Sequence, residues 1–306
     1  MRTALAGVLL GVTLLSGCSS ADTATPASPA AQSSGPFPVT VQAANGAVTI
    51  AERPQRVVSL SPTATESLFA IGAGPQVVAV DDQSNFPPEA PKTALSGFKP
   101  NVEAITAEQP DLVIVSNDLE GVVAGLGKVG VPVLVLSAAT KIDDAYTEIE
   151  NLGTATGNRA KADEVVTGMK QKLADLAAAA PQAKLTYYHE LDVTPYAATS
   201  TTFIGQIYAL FGLVNIADEA PDAAGGYPKL SAEFVAKADP DLIFLADVKC
   251  CQQNAEALAK RPGWGGLKAV KNGDVVELDD DIASRWGPRV VDLAEAIGAG
   301  VAKAAG

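Results

Sequence analysis

Gly125-Leu-Gly127-Lys-Val-Gly130 has the Gly-x-Gly-x-x-Gly spacing with which a nucleotide-binding loop lays its backbone against a pyrophosphate. That chemistry needs a strand first, then the glycines, then a helix N-terminus aimed at the phosphates. Here the glycines follow a helical segment and stand directly before the apolar run Val131–Leu136, so they read as a helix end and a loop. The chain has a single histidine, His189, which excludes sites built from two or three imidazoles and with them most zinc hydrolases. It has no Gly-x-Ser-x-Gly elbow, no Walker loop and no His-Glu-x-x-His, and a Ser-His-Asp triad has only His189 to recruit. Two readings of His189, near the end of an expected strand, stay open. It is a partly buried residue hydrogen-bonded locally, or it faces a ligand and binds the iron or cobalt of a metal complex. An enzyme using His189 is the weak reading; no catalytic residue, no cofactor and no metal site of the protein's own is expected.

The cysteines point to a compartment. Met1 and Arg2, the apolar stretch Ala6–Leu15 and the small residues before Cys18 describe a secretory signal, too short in its apolar part to span a bilayer. Leu15-Ser-Gly-Cys18 resembles the bacterial lipobox, which makes Cys18 the lipidated first residue of the mature chain. Residues 19–38 are rich in Ser, Ala, Thr and Pro and read as a flexible tether. Cys250 and Cys251 remain, an even number in an oxidising compartment; they close a strained ring, stay reduced or pair between chains. With 35 acidic against 22 basic residues the formal charge is −13, which repels a phosphate backbone and excludes nucleic acid as a partner. The expected product is a monomeric globule outside the cytoplasm, held to the cell membrane by a lipid anchor.

The elements that must position any site alternate between strand and helix. Val39–Gln42 and Ala47–Ile50 flank the turn dipeptide Asn45-Gly46 and read as a hairpin. Arg56–Leu60, Val77–Val80, Asp111–Val115 and Val131–Leu136 are short apolar strands, with a helix from Pro62 and others between them. One long helix, Arg159–Ala180, has Val165, Val166, Met169, Leu173 and Leu176 at three- and four-residue steps. It spans about 33 Å, the length of a small domain. A second set of strands and helices begins at Leu185–Tyr188 and echoes the first: Glu103 stands seven residues before Pro110-Asp-Leu, and Glu233 seven before Pro240-Asp-Leu. The expected fold is α/β, two similar Rossmann-like lobes (39–157 and 182–306) joined by one rigid helix (158–181), with a ligand cleft between the lobes.

The lipobox, Arg56-Val-Val-Ser-Leu-Ser-Pro-Thr-Ala-Thr-Glu66, Gln109-Pro-Asp-Leu-Val-Ile114 and the mid-chain helix together resemble a helical-backbone (class III) periplasmic binding protein, over nearly everything from Val39 onward. The resemblance implies a substrate-binding protein of an ABC importer for iron-siderophores, haem or cobalamin, with a permease and an ATPase as partners. Ser84-Asn-Phe-Pro87, Tyr227-Pro228 and Asp281-Ile-Ala-Ser-Arg285-Trp-Gly-Pro-Arg289 look closest to the cobalamin-binding branch, which makes a corrinoid the expected ligand and a ferric hydroxamate or haem the alternative. It implies that Asp281 and Arg285 touch the corrinoid and that Tyr227 takes the place of a stacking Trp. Phe98 and Ser116 stand about where the branch has other tryptophans. Ligands bind beyond the carboxyl ends of parallel strands, so the loops after Leu60, Val80, Val115 and Ala246 are expected at the cleft. The candidate ligand contacts are therefore Ser61, Gln83, Phe86, Phe98, Ser116, His189, Tyr227, Asp281, Arg285 and Trp286. Glu103 and Glu233, at equivalent places in two similar lobes, are candidates for permease docking. Arg285 and Arg289 stand nearly alone as cleft arginines, which favours a neutral or cationic complex over a strongly anionic siderophore.

Overall fold

The computed structural model describes residues 37–181 and 183–306, so the expected signal, Cys18 and all of the tether but Phe37 and Pro38 lie outside the described residues. Asn45-Gly46 turns a hairpin of β1 (Val39–Ala43) and β2 (Gly46–Ile50), with Gly46 at φ 99° and Val39 opposite Ile50. The Asn45 side chain continues past the turn, donating to the Val133 carbonyl at 3.0 Å and accepting from the Val135 N–H at 3.1 Å.

The first lobe runs β3 (Val57–Leu60), α1 (Pro62–Ala70), β4 (Val77–Val80), α2 (Val102–Ala107), β5 (Leu112–Val115), α3 (Val122–Gly127), β6 (Val133–Val135) and α4 (Ile142–Thr156). Gly125 and Gly127 sit in the last turns of α3 and Gly130 in the loop before β6. All four strands of its sheet are parallel, in the order β4-β3-β5-β6. The long helix α5 (Arg159–Ala179) follows and buries Ala162, Val166, Met169 and Leu173 along one stripe. The second lobe runs β7 (Thr186–Asp192), β8 (Tyr196–Ala197), α6 (Phe203–Ala209), β9 (Val214–Asn215), α7 (Ala232–Ala238), β10 (Leu242–Leu245), α8 (Val248–Cys251), α9 (Ala255–Ala259), α10 (Lys268–Asn272), β11 (Val275–Glu277), α11 (Asp280–Ala283) and α12 (Val290–Ala304). Here β7 lies between β9 and β10, with β11 beyond β10, all parallel; β8 adds antiparallel to β7.

Leaving β8 aside, both sheets have their strands in the order second, first, third, fourth. The repeated phrase noticed in the sequence therefore falls on equivalent structure, α2–β5 in one lobe and α7–β10 in the other. Each lobe also ends on a fifteen-residue helix, α4 or α12, packed against α5. Strand alternation divides each core into two layers. Val57, Leu112 and Ile114 of the first sheet and Tyr187, Leu242 and Phe244 of the second belong to one apolar core that runs through both lobes by way of α4, α5 and α12. The opposite faces, with Val58, Val113 and Val115 in one lobe and Tyr188, Ile243 and Leu245 in the other, have separate cores of their own. The two-lobed α/β architecture expected from the sequence is the one observed.

Candidate functional site

The carboxyl ends of the parallel strands open onto the loops after Leu60, Val80 and Val115 in the first lobe and those following β7, β10 and β11 in the second. In the first lobe, Ser61 is 2% exposed and caps α1, its Oγ accepting from the Ala64 N–H at 3.3 Å. Ser61 is thus a helix cap held inside the lobe. Behind it Thr65 Oγ1 donates to Ser59 Oγ at 2.9 Å and meets Ser84 Oγ at 2.9 Å, while Ser84 in turn donates to Asp81. Burial holds the Asp81 carboxyl above its ordinary range, against the opposing pull of the Ser84 hydroxyl. Gly97 lets the next loop lie on this cluster: a Cβ there would stand 2.7 Å from Asp81 Oδ2 and 2.9 Å from the Leu60 carbonyl. The loop so held presents Phe98, 72% exposed, to solvent. Ser116, just past β5, is half-buried. In the second lobe Gly226, at φ 100°, packs against Thr202 and presents Tyr227, 43% exposed.

The largest polar assembly lies between the lobes. Glu66 of α1 is buried and carries a double clamp. Arg285 Nη1 donates to its Oε1 at 2.6 Å, and Arg289 donates to Oε2 from Nε at 2.9 Å and to Oε1 from Nη2 at 2.5 Å. Arg285 also donates to Asn85 Oδ1 at 2.9 Å, the Gln83 carbonyl at 3.1 Å and Asp281 Oδ1 at 2.8 Å. Asp281 Oδ2 accepts from Asn85 Nδ2 and from Lys249 Nζ, both at 3.0 Å, and Lys249 reaches Asp279 at 2.8 Å. Lys249 and the neighbouring hydrogen bonds hold the Asp281 carboxyl below its ordinary range despite partial burial. The Arg289 guanidinium lies 4.2 Å from the centre of the Phe86 ring, and Trp286 Nε1 donates to Glu148 Oε2 at 2.8 Å. Burial pushes the Glu148 carboxyl up to about 7, the Trp286 bond opposing. Three carboxylates (Glu66, Asp279, Asp281) pair with three cations (Lys249, Arg285, Arg289), so neither arginine is left over.

The structure thus brings Gln83, Phe86, Asp281, Arg285 and Trp286 together, but as a strut between lobes. Asp281 and Arg285, expected to touch the ligand, are bonded here within the protein: Glu66 and Asn85 take Arg285 Nη1, the Gln83 carbonyl and Asp281 Oδ1 take Nη2, and Asn85 and Lys249 donate to Asp281 Oδ2. His189 is corrected more plainly. It lies in the middle of β7 rather than at its end, is fully buried on the shared core, and its Nδ1 meets the Tyr208 hydroxyl at 2.8 Å. Burial lowers its pKa to about 4, so the imidazole is neutral and out of reach of a cleft ligand. The residues that sequence reading missed are Glu66, Asn85 and Lys249. Their one visible signal is a Glu in the middle of a helix whose other residues carry no charge.

Cys250 and Cys251 are free thiols on α8; burial together with Cys251 and Asp280 pushes the Cys250 thiol up to about 12. Glu103 and Glu233 are each the second residue of α2 and α7, exposed, behind the capping residues Asn101 and Ser231. Both helices lead back to the start of the next strand, so their N-termini stand at the carboxyl edge of each sheet. Among the described residues no group of three or more His, Cys, Asp or Glu could hold a metal ion, and no helix is long and apolar enough to cross a membrane.

The family model described as periplasmic binding protein matches residues 57–282. An uncharacterized ABC transporter substrate-binding lipoprotein of Bacillus subtilis, YvrC, is 33% identical over 95% of each chain. The cobalamin-binding protein of Halobacterium salinarum is 32% identical over 84% of this chain and 72% of its own. Among solved structures, the periplasmic vitamin B12 binding protein BtuF of Vibrio cholerae superimposes with a TM-score of 0.68 at 26% identity, covering 83% of this chain and 98% of its own.

Proposed function

The chain belongs to the periplasmic binding protein family, and from that premise we propose that its cargo is a corrinoid, carried by a receptor anchored through a lipid on Cys18. It is a substrate-binding protein of an ABC transporter, working outside the cytoplasm, and not an enzyme. One observation carries the choice of cargo. Phe98 and Tyr227 offer exposed aromatic surface on the two lobes, while Arg285 and Arg289 are neutralised inside the seam. A large, flat complex of low charge suits aromatic platforms with few ionic anchors, and a polyanionic siderophore does not. The relative named for cobalamin and the vitamin B12 binding structure support the same reading. The lipobox-like Leu15–Cys18, and the lipoprotein name of the relative that aligns over 95% of the chain, support the anchor.

In this reading the cargo lies between the loops bearing Gln83, Phe86, Phe98 and Ser116 and the loop bearing Tyr227. Glu103 and Glu233 meet basic residues on two similar permease subunits. Titration of the purified chain with cobalamin, cobinamide, haem and a ferric hydroxamate, followed by intrinsic fluorescence, tests the cargo. One-to-one binding of the two corrinoids is expected; saturation by haem or the hydroxamate alone overturns the assignment. The Glu103→Ala, Glu233→Ala double variant is expected to bind corrinoid normally and to fail in ATP-dependent vesicle uptake, and wild-type uptake removes the docking role. Cys18→Ser is expected to free the protein from the membrane fraction; retention after a high-salt wash removes the anchor.

A further inference from the structure

Asp247 stands at the N-cap of α8 and does not cap it. Its carboxyl is turned into the second lobe, fully buried, with no donor to either oxygen; when protonated it donates to the Glu190 carboxylate. An N-cap aspartate ordinarily accepts from the second or third N–H of its helix. In α8 those are Lys249 and Cys250, and both donate instead to Asp280 of α11, at 2.9 and 2.8 Å. This helix end thus has its own carboxyl turned inside and a foreign carboxylate in place on its amides.

The surroundings of Asp247 make its inward position conditional. Tyr188 and Glu190 of β7 and Arg261, beyond α9, face it; Lys249, Cys250, Cys251 and Asp280 lie on the α8–α11 side. Arg261 is already committed to Glu190 through bonds of 2.6 and 2.5 Å, and the Tyr188 hydroxyl donates to the same carboxylate at 3.1 Å. No cation is left for a second buried carboxylate. Burial first, then the Glu190 charge, push the Asp247 carboxyl up to about 7, with Arg261 opposing. Below that pH the group is neutral and tolerates the interior. Above it, two carboxylates compete for one guanidinium, while the amides of α8 offer an ionised Asp247 a place to go.

We infer that Asp247 and Asp280 are alternative caps of α8, and that exchange between them sets how firmly α11 is held in the interlobe seam. With Asp247 inside, Asp280 ties α11 to α8, and Asp281 next to it bonds Lys249, Arg285 and Asn85 of the other lobe. With Asp247 turned outward onto the Lys249 and Cys250 N–H groups, Asp280 is released and α11 loses that tie. The exchange depends on the seam alone and stands whichever cargo the cleft takes.

Hydrogen exchange of the full chain between about pH 5.5 and about pH 8.5, corrected for the intrinsic pH dependence of exchange, tests it. Residues 280–285 are expected to lose protection about tenfold as pH rises through 7 in the wild type, and to keep it in Asp247→Asn. Asp280→Ala gives an independent reading on a different residue. Its Lys249 and Cys250 amides are expected to be poorly protected in acid and to regain protection above pH 7, when Asp247 takes them. The same pH dependence in wild type and Asp247→Asn overturns the proposal, as does a flat profile for the two amides in Asp280→Ala.

Discussion

The fifth residue of α1 is Glu66, and the fifth residue of α6, the equivalent helix of the second lobe, is Ile207. Both helices are capped alike, Ser61 accepting from the Ala64 amide and Thr202 from the Gly205 amide, and both fifth residues are buried. Around them the lobes repeat each other closely. Gln109 and Asp239 have φ of 51° and 44°, each one residue before its proline. Asp111 then accepts from the Gln55 and Arg56 amides at 2.7 and 2.9 Å, and Asp241 from the Thr186 amide at 2.9 Å. In each lobe the aspartate of the repeated Pro-Asp-Leu thus ties the start of the third strand to the start of the first. The scaffold is one design used twice. One position in this helix differs, apolar in one copy, and in the other a carboxylate that reaches across to Arg285 and Arg289.

Substituting both positions puts that difference to the test. Glu66→Ala leaves the buried Arg285 and half-buried Arg289 guanidinium groups short of their partner and is expected to cost about 3–5 kcal/mol in chemical denaturation. Ile207→Ala leaves a cavity of ordinary kind and is expected to cost about 2–5 kcal/mol. The useful contrast is local: only Glu66→Ala should unprotect residues 281–289 against proteolysis in the folded protein. Equal protection in both variants breaks the idea that Glu66 holds the lobes together.

A smaller effect distinguishes the polar interiors. The first lobe satisfies Ser59, Thr65, Asp81 and Ser84 among themselves, whereas His189 Nε2 in the second has no partner. With a folded pKa of about 4 against an ordinary 6.5, His189 takes up fewer protons folded than unfolded between those values. Its contribution is whole above pH 6.5 and is lost as pH falls toward 4, by about 3 kcal/mol in all. Asp247 and Glu148, raised to about 7, act in the opposite sense, favouring the fold in acid and losing that benefit as pH rises toward 7. The difference between the stability–pH curves of wild type and His189→Phe isolates the histidine. A difference that does not change between pH 6.5 and 4 removes it.

The smallest expected effect concerns the repeat itself. Asp111→Ala and Asp241→Ala should each cost about 1–2 kcal/mol, and by similar amounts, because each removes charge-assisted bonds to strand-start amides. Lys268, 3.4 Å from Asp241, adds little at an exposed site. Costs that differ by more than about 1 kcal/mol mean that the two phrases do different work.

Local signals made most of the scaffold legible. The hairpin turn at Asn45-Gly46, the strand cores, the stripe on α5 and the repeated phrase are all written within a few residues of where they act. The strand bearing His189 runs on to Asp192, beyond its apolar start; Glu190 is held inside it by Arg261, 71 residues on. The seam is hidden from local signals in the same way. Glu66 finds its arginines 219 and 223 residues away, and no spacing rule connects them. Family resemblance supplied Asp281 and Arg285 as a pair but not the direction in which they point.

Asn45 does more than turn a corner. By giving the Val133 carbonyl a donor and the Val135 amide an acceptor, its side chain imitates the neighbouring strand that β6 lacks. Strand edges left open recruit strands from other molecules and seed aggregation. With the Ala44 amide, which donates to the Val135 carbonyl at 2.9 Å, this one side chain closes the open edge of the last strand without adding a residue to the sheet.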